Sequence, residues 1–335
     1  MRSLYESLLD DEDELLDDGP LEIFNWLKDN YIWYGGGSHH REFKSLIFKK
    51  VGKKYIVSLS SDTGQMTLTN KDIKTLTNGK FEFGEMFMFK CSDSSIESLE
   101  GAPKQAVYFY AENCKIKDLY LDKSHTYENI KITENIHLKS VNLDCNCNTV
   151  FADNCPQLTE IKINNLGKAN LRNYNANSRG LTVPKCKSLK TIYIDGVYNE
   201  LYIDCNTCKS LTSVYSSCGV RYIDCHRCSK LEKLDFEFAD IITSIYADSC
   251  VNLKQLPSVA NKAIQGAFKI RNCENIALTI DDLPRAMTST ATRGVLDLRG
   301  TACKLYAWEI FKKISHISPK NIKIDHDPSI LTDKK

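Results

Sequence analysis

From Cys91 to about Cys303 one arrangement of apolar and polar positions keeps returning. A small anchor residue, usually cysteine, is followed by leucine-like residues at +3, +6 and +8, with polar residues between. It reads Cys186, Leu189, Ile192, Ile194; then Cys208, Leu211, Val214; then Cys228, Leu231, Leu234, Phe236; then Cys250, Leu253, Leu256. These four anchors lie 22, 20 and 22 residues apart. Earlier and later anchors fall at Asp93, Cys114, Asn135, Cys155 and Cys273, with a degenerate last turn around Val295–Leu298. The pattern at Cys114 slips by one residue (Ile116, Leu119, Leu121), and the interval from Cys155 to Cys186 is long and rich in Asn and Gly.

A second element precedes the anchors, apolar at −5 and usually small at −3: Val150 and Ala152, Ile203 and Cys205, Ile223 and Cys225, Ile245 and Ala247, Phe268 and Ile270. Period-two alternation turns these positions inward and −4 outward, so each coil carries two short strands. A period of 20 to 29 residues built on leucine-like positions predicts a mainly β, leucine-rich-repeat-like β-solenoid. About ten coils, stacked at roughly 4.8 Å, give a rod near 50 Å long.

The flanks read differently. Leu4, Leu8, Leu9, Leu15 and Leu16 recur at helical spacing among Glu6, Asp10, Asp11, Glu12, Asp13, Glu14, Asp17 and Asp18, with Arg2 the only base in residues 1–18. This acidic arm is either a solvated helix or a docking peptide in which Leu4, Leu8, Leu15, Asp11 and Asp13 meet a partner. Asp17–Asp18–Gly19–Pro20 makes a hinge, and the apolar residues of 21–34 predict a helix. Between Phe43 and Phe89, short alternating runs separated by Gly52, Ser61–Gly64 and Asn78–Gly79 predict strands and hairpins. Residues 19–90 thus form a small α+β cap, 91–303 the solenoid, and 304–335 a capping helix and tail. Leu305, Trp308, Phe311 and Ile314 form that helix's apolar stripe, and Ile322 and Ile324 add a last strand.

Charge is almost balanced overall, 44 basic against 43 acidic residues, which leaves no broad field for nucleic acid or membrane. Arg41, Lys44, Lys49, Lys50, Lys53 and Lys54, interleaved with Phe43, Phe48 and Tyr55, read as a solvated strand face before a nucleic-acid face. The chain opens without an apolar signal core and holds no run of about 18 apolar residues. The fourteen cysteines, mostly at fixed coil positions, therefore read as buried free thiols of a reducing compartment.

Chemistry is sparse. Cys205, Cys208, Cys225 and Cys228 have the C-x2-C-x16-C-x2-C spacing of a zinc ribbon. Their separation of 20 is also the coil period, so a thiol-lined core gives the same spacing without metal. Zinc is the one cofactor weighed, and the expectation is none. Gly35–Gly37 lacks a following Gly-Lys-Ser/Thr, His39 and His40 lack a third ligand, and the remaining histidines are scattered. No nucleophile, base and orienting group come together, so an enzyme is not expected. What remains is surface. The residue between the last two apolar positions of each coil projects outward, giving Tyr120, Asn142, Lys162, Tyr193, Tyr215 and Asp235. Three tyrosines in six suit a contact face.

Met86–Phe–Met–Phe–Lys–Cys91, Ile96–Glu–Ser–Leu99–Glu–Gly–Ala–Pro103 through Val107, and Tyr222–Ile–Asp–Cys225–His–Arg–Cys228–Ser–Lys–Leu231 resemble the cysteine-bearing leucine-rich-repeat-like proteins encoded by bacteriophages. The opening Met1–Arg–Ser–Leu–Tyr–Glu–Ser–Leu–Leu–Asp–Asp–Glu–Asp is similar to the start of many proteins of gut Bacteroidales phages, crAss-like phages included. The Gly-Ala-Pro element does not recur in later coils. The resemblance implies a phage origin and a non-enzymatic solenoid, and it brings no site residues. The expectation is a protein-binding solenoid with a viral or bacterial partner and no small-molecule substrate, in the infected cell's cytoplasm. A virion subunit, decorating the capsid or associated with the tail, is the alternative, and a zinc-dependent nucleic-acid binder ranks third.

Overall fold

The computed structural model describes residues 22–23, 31–33, 46–52, 54–59, 66–68, 81–91, 95–169, 179–288 and 294–325. It is a mainly β, parallel solenoid of about ten turns closed by a C-terminal helix. The first column of strands runs the whole length. It consists of Phe81–Lys90, Gln105–Tyr110, Thr126–Lys131, Asn146–Phe151, Gly180–Thr182, Leu201–Asp204, Val220–Asp224, Ser244–Tyr246, Ala267–Lys269, Val295–Asp297 and Ile322–Lys323, each parallel to the next. A second column spans six coils: Asp118–Leu121, Ser140–Leu143, Glu160–Leu166, Thr191–Gly196, Ser213–Ser216 and Lys233–Asp235. A third, absent from the sequence reading, pairs Ile241–Ile242, Ala263–Ile264 and Ala286–Met287.

The interior is what period-two alternation requires. Val150, Ala152, Ile203, Cys205, Ile223, Cys225, Ile245, Ala247, Phe268 and Ile270 are fully buried, as are the +3 leucines Leu158, Leu189, Leu211, Leu231 and Leu253. At the N-terminal end the filling is aromatic. Phe89 stacks on Phe109 at 5.8 Å between ring centroids, and Phe109 meets Tyr127 at 4.7 Å. The Tyr127 hydroxyl donates to the Pro103 carbonyl at 2.5 Å, which permits a polar tip in an apolar core.

Each coil turns its corner at the residue before the anchor. Asn113, Glu134, Asn154, Lys185, Thr207, Arg227, Ser249 and Asn272 all have φ between 50° and 62°, and Gly300 takes the same role at 69°. This left-handed turn aims the backbone N–H along the stack. Glu134 donates to the Asp153 carbonyl, Thr207 to His226, and Arg227 to Asp248. The carbonyl at −3 is then left facing inward, and the anchor side chain of the next coil satisfies it. Cys208 Sγ donates to Val183 O at 3.1 Å, Cys228 Sγ to Cys205 O at 3.1 Å, Cys250 Sγ to Cys225 O at 3.0 Å and Cys273 Sγ to Ala247 O at 2.9 Å.

Four expectations need correction. The Cys114 thiol donates to Cys91 O, which puts Cys91 in the −3 row; an anchor at Asp93 would have put Lys90 there. Phe81–Lys90 is one ten-residue strand lying parallel to Lys54–Leu59 and Met66–Leu68, so the only hairpin among the described residues is Leu46–Val51 with Lys54–Leu59, turning at Gly52. Within the expected 21–34 helix, Glu22–Ile23 is helical but Tyr31–Trp33 is a strand antiparallel to Met66–Leu68; a β-branched and two aromatic residues favour a strand. The C-terminal helix covers only Ala307–Lys313, with Ala307 and Ile310, and then Ile314, buried, while Trp308 and Phe311 are each 49% exposed. A spacing of three falls about 60° short of a full turn at each step, so the expected stripe spirals off the buried face.

Candidate interaction face

Every parallel rung of the second column adds one outward side chain. The register pairs Tyr120 with Asn142, Asn142 with Lys162, Lys162 with Tyr193, Tyr193 with Tyr215, and Tyr215 with Asp235. All six residues read from the sequence therefore stand in one unbroken row. Parallel pairing without slippage puts identical coil positions about 4.8 Å apart, close enough for side chains to stack. The Tyr193 and Tyr215 rings lie 4.7 Å apart and 11° from parallel, and Lys162 Nζ sits 5.8 Å from the Tyr193 centroid. Tyr120 is the most exposed of the three tyrosines, at 59%, and its hydroxyl donates to Asp144 Oδ2 at 3.4 Å. Asp235 ends the row with Lys233 Nζ 2.6 Å from its Oδ2.

Polar rows flank this stripe. On one side Asp118, Ser140, Glu160, Thr191, Ser213 and Lys233 are in register, with Ser140 Oγ donating to Asp118 Oδ1 at 2.7 Å. On the other, Asn164 Nδ2 donates to Asp144 and Ser217 Oγ to Asp195 Oδ1. Asn142 Oδ1 is buried with no hydrogen-bond partner among the described residues, a local cost of about 1–3 kcal/mol. Past the last rung a cleft of about 560 Å³ opens, lined by Tyr215, Asp235, Phe236, Phe238 and Lys262. An aromatic centre, a polar rim and a terminal cleft are the parts of a contact surface.

The first column carries an outward aromatic row that the sequence reading missed. Tyr202 stacks on Tyr222 at 3.9 Å and 1°, and Tyr246 follows at 6.0 Å from Tyr222. The signal was the repeated Tyr-Ile-Asp-Cys at 202–205 and 222–225, whose alternation sends Tyr and Asp outward as it sends Ile and Cys in. Burial, with the neighbouring Asp224 contributing, raises the Asp204 carboxyl above the usual range against the hydrogen bonds it accepts from Asn206. His226 Nδ1 lies 2.6 Å from Asp224 Oδ1.

The arm residues Leu4, Leu8, Asp11, Asp13 and Leu15 lie outside the described residues, as do Arg41 and Lys44 of the basic segment. Lys49, Lys50 and Lys54 are exposed, Lys50 sits over the Tyr55 ring at 5.7 Å, and Lys54 pairs with Glu82 at 2.8 Å.

Cys205, Cys208, Cys225 and Cys228 are fully buried in two successive coils, and the thiols of Cys208 and Cys228 are committed to backbone carbonyls. A hydrogen bond with a neighbouring thiol, then burial, holds Cys205 and Cys225 far above the usual thiol range. Burial alone leads for Cys208, and for Cys273, which is pushed up to about 12. Among the described residues no three His, Cys, Asp or Glu side chains are grouped to hold a metal ion, and no helix is long and apolar enough to cross a membrane. No family model, curated protein or solved structure matches the chain.

Proposed function

We propose that the protein is a non-enzymatic binding solenoid that takes a protein partner along the second-column face. The observation that carries the reading is the unbroken row Tyr120–Asn142–Lys162–Tyr193–Tyr215–Asp235, with its stacked tyrosines and terminal cleft. Stacking holds Tyr193 and Tyr215 in place before contact, so little side-chain entropy remains to be lost on binding. The leucine-rich-repeat character of the coils favours such a use, since a solenoid's strand face is a long, regular and rigid surface. The phage-like motifs favour an infected bacterial cell or its particles as the setting of this binding.

The test is affinity capture with the wild type beside Tyr193→Ala/Tyr215→Ala, each residue being 37% exposed, with circular dichroism as the folding control. A partner held through this face is lost from the double variant by a factor of about thirty or more. If every captured protein remained bound to the variant, the face would be ruled out. Mass spectrometry on purified particles and on lysate then assigns the setting: near-stoichiometric copies in particles would make the chain a virion subunit.

A further inference from the structure

The C-terminal helix closes the stack on one side and leaves three aromatics on the other. Tyr306, Trp308 and Phe311 are exposed by 50%, 49% and 49% within six residues, the densest group of exposed large hydrophobic side chains among the described residues. Trp308 and Phe311 lie three apart on one flank, and Lys312 Nζ sits 4.6 Å from the Trp308 centroid. The surrounding sequence is basic. Residues 304–323 carry Lys304, Lys312, Lys313, Lys320 and Lys323 against Glu309 alone. Of these, Lys313 is engaged with Asp281 at 3.6 Å, and the Glu309 carboxylate accepts from the Tyr306 backbone N–H. This end of the rod is an apolar aromatic patch in a positive frame.

The same chain carries the complement. Residues 1–18 hold five leucines and eight carboxylates against Arg2. The geometry points to head-to-tail association, in which the acidic arm of a second copy docks on the Tyr306–Trp308–Phe311 patch. A second copy is favoured over the chain's own arm by distance. Tyr31–Trp33 lies two strands beyond Phe81–Lys90, so thirteen strands separate the two ends inclusively, a span of about 58 Å. Residues 17–30 reach at most about 50 Å when fully extended, and Ile23 among them is buried in the core, so this segment falls short of delivering the arm to its own far end. A contact between unlike ends does not close on itself and yields open chains of copies. This inference is independent of the strand-face reading, because it uses neither the second column nor an outside partner.

The experiment is sedimentation of the full chain over a range of concentration and salt. It is run beside a deletion of residues 1–18 and beside Trp308→Ala/Phe311→Ala, with Lys304→Glu/Lys320→Glu as a second, fold-sparing variant and circular dichroism as the folding control. The expected result is a mass that grows with concentration at low salt and returns to monomer as salt screens the charges. Each variant should weaken association at least about thirtyfold. Mixing the arm deletion with Trp308→Ala/Phe311→Ala should restore a one-to-one dimer and nothing longer, since one retains the patch and the other the arm. Three results would overturn the proposal: a monomer at every concentration, association that none of the three variants reduces, or a labelled 1–18 peptide that binds the arm deletion while the full chain stays monomeric. The last would show the arm folded back on its own chain.

Discussion

Asn135 stands where seven other coils carry a cysteine, and it shows what the anchor is for. Its Nδ2 donates to Ala111 O and Ile132 O, both at 2.7 Å, and its Oδ1 accepts from the Cys114 N–H at 2.7 Å. A thiol fills fewer of these roles: Cys228 Sγ donates to Cys205 O alone, and Cys186 Sγ donates to Ala152 O and accepts from the Cys155 N–H, so cysteine is the economical choice and asparagine the fuller one. Asn135→Ala should therefore cost about 3 kcal/mol or more, because three buried backbone groups lose their partners, whereas Cys228→Ala should cost about 1–2 kcal/mol; urea unfolding compares them. Asn135→Cys should fall between. Asp204 offers a pH test. Burial has raised its folded pKa, so its ionisation destabilises the fold as pH rises through that value, and below the ordinary carboxylate pKa the penalty vanishes. Asp204→Asn keeps an acceptor for Asn206, so it should melt above the wild type at neutral pH and level with it near pH 3. The sequence shows Cys and Asn sharing one position. It does not show which carbonyl they serve, because that depends on a corner made by other residues.

Those corners set the limits at the scale of the element. A left-handed residue costs little when it is Asn or Gly, but Thr207 holds φ at 62° with a branched Cβ. Thr207→Asn should stabilise by about 0.5–1 kcal/mol, and Asn154→Val, the reverse exchange in kind, should destabilise by at least that much, both read from thermal melts. Strand columns were legible because alternation over four to six residues leaves a clear trace, as in Val141–Asn142–Leu143 or Ile192–Tyr193–Ile194. The third column was not, since pairs such as Ile241–Ile242 are too short to carry a period. The C-terminal stripe failed for a different reason: Trp308 and Phe311 look like core by composition, and only the angle of the helix turns them outward. The six-residue face was legible in full because its position relative to the anchor repeats, while the tyrosine stack at 202 and 222 needed the outward half of an alternation read only for its inward half.

For the molecule as a whole, all fourteen thiols are free and thirteen are buried, Cys303 alone being partly exposed. A thiol reagent should label no more than about one cysteine quickly in the folded protein and all fourteen after denaturation; rapid labelling of several would mean that the coils open readily. The second column sets a further limit. It stops at Lys233–Asp235 while the first column runs on, so the tyrosine-bearing row spans five rung intervals, about 24 Å. A strip of that length and two or three residues wide offers roughly 300 Å², well under the about 800 Å² per partner of a durable complex. One rod would therefore hold its partner only briefly. Copies joined end to end would present the strip again about every 58 Å, and a partner with repeated epitopes at that pitch would be held by many short-lived contacts at once.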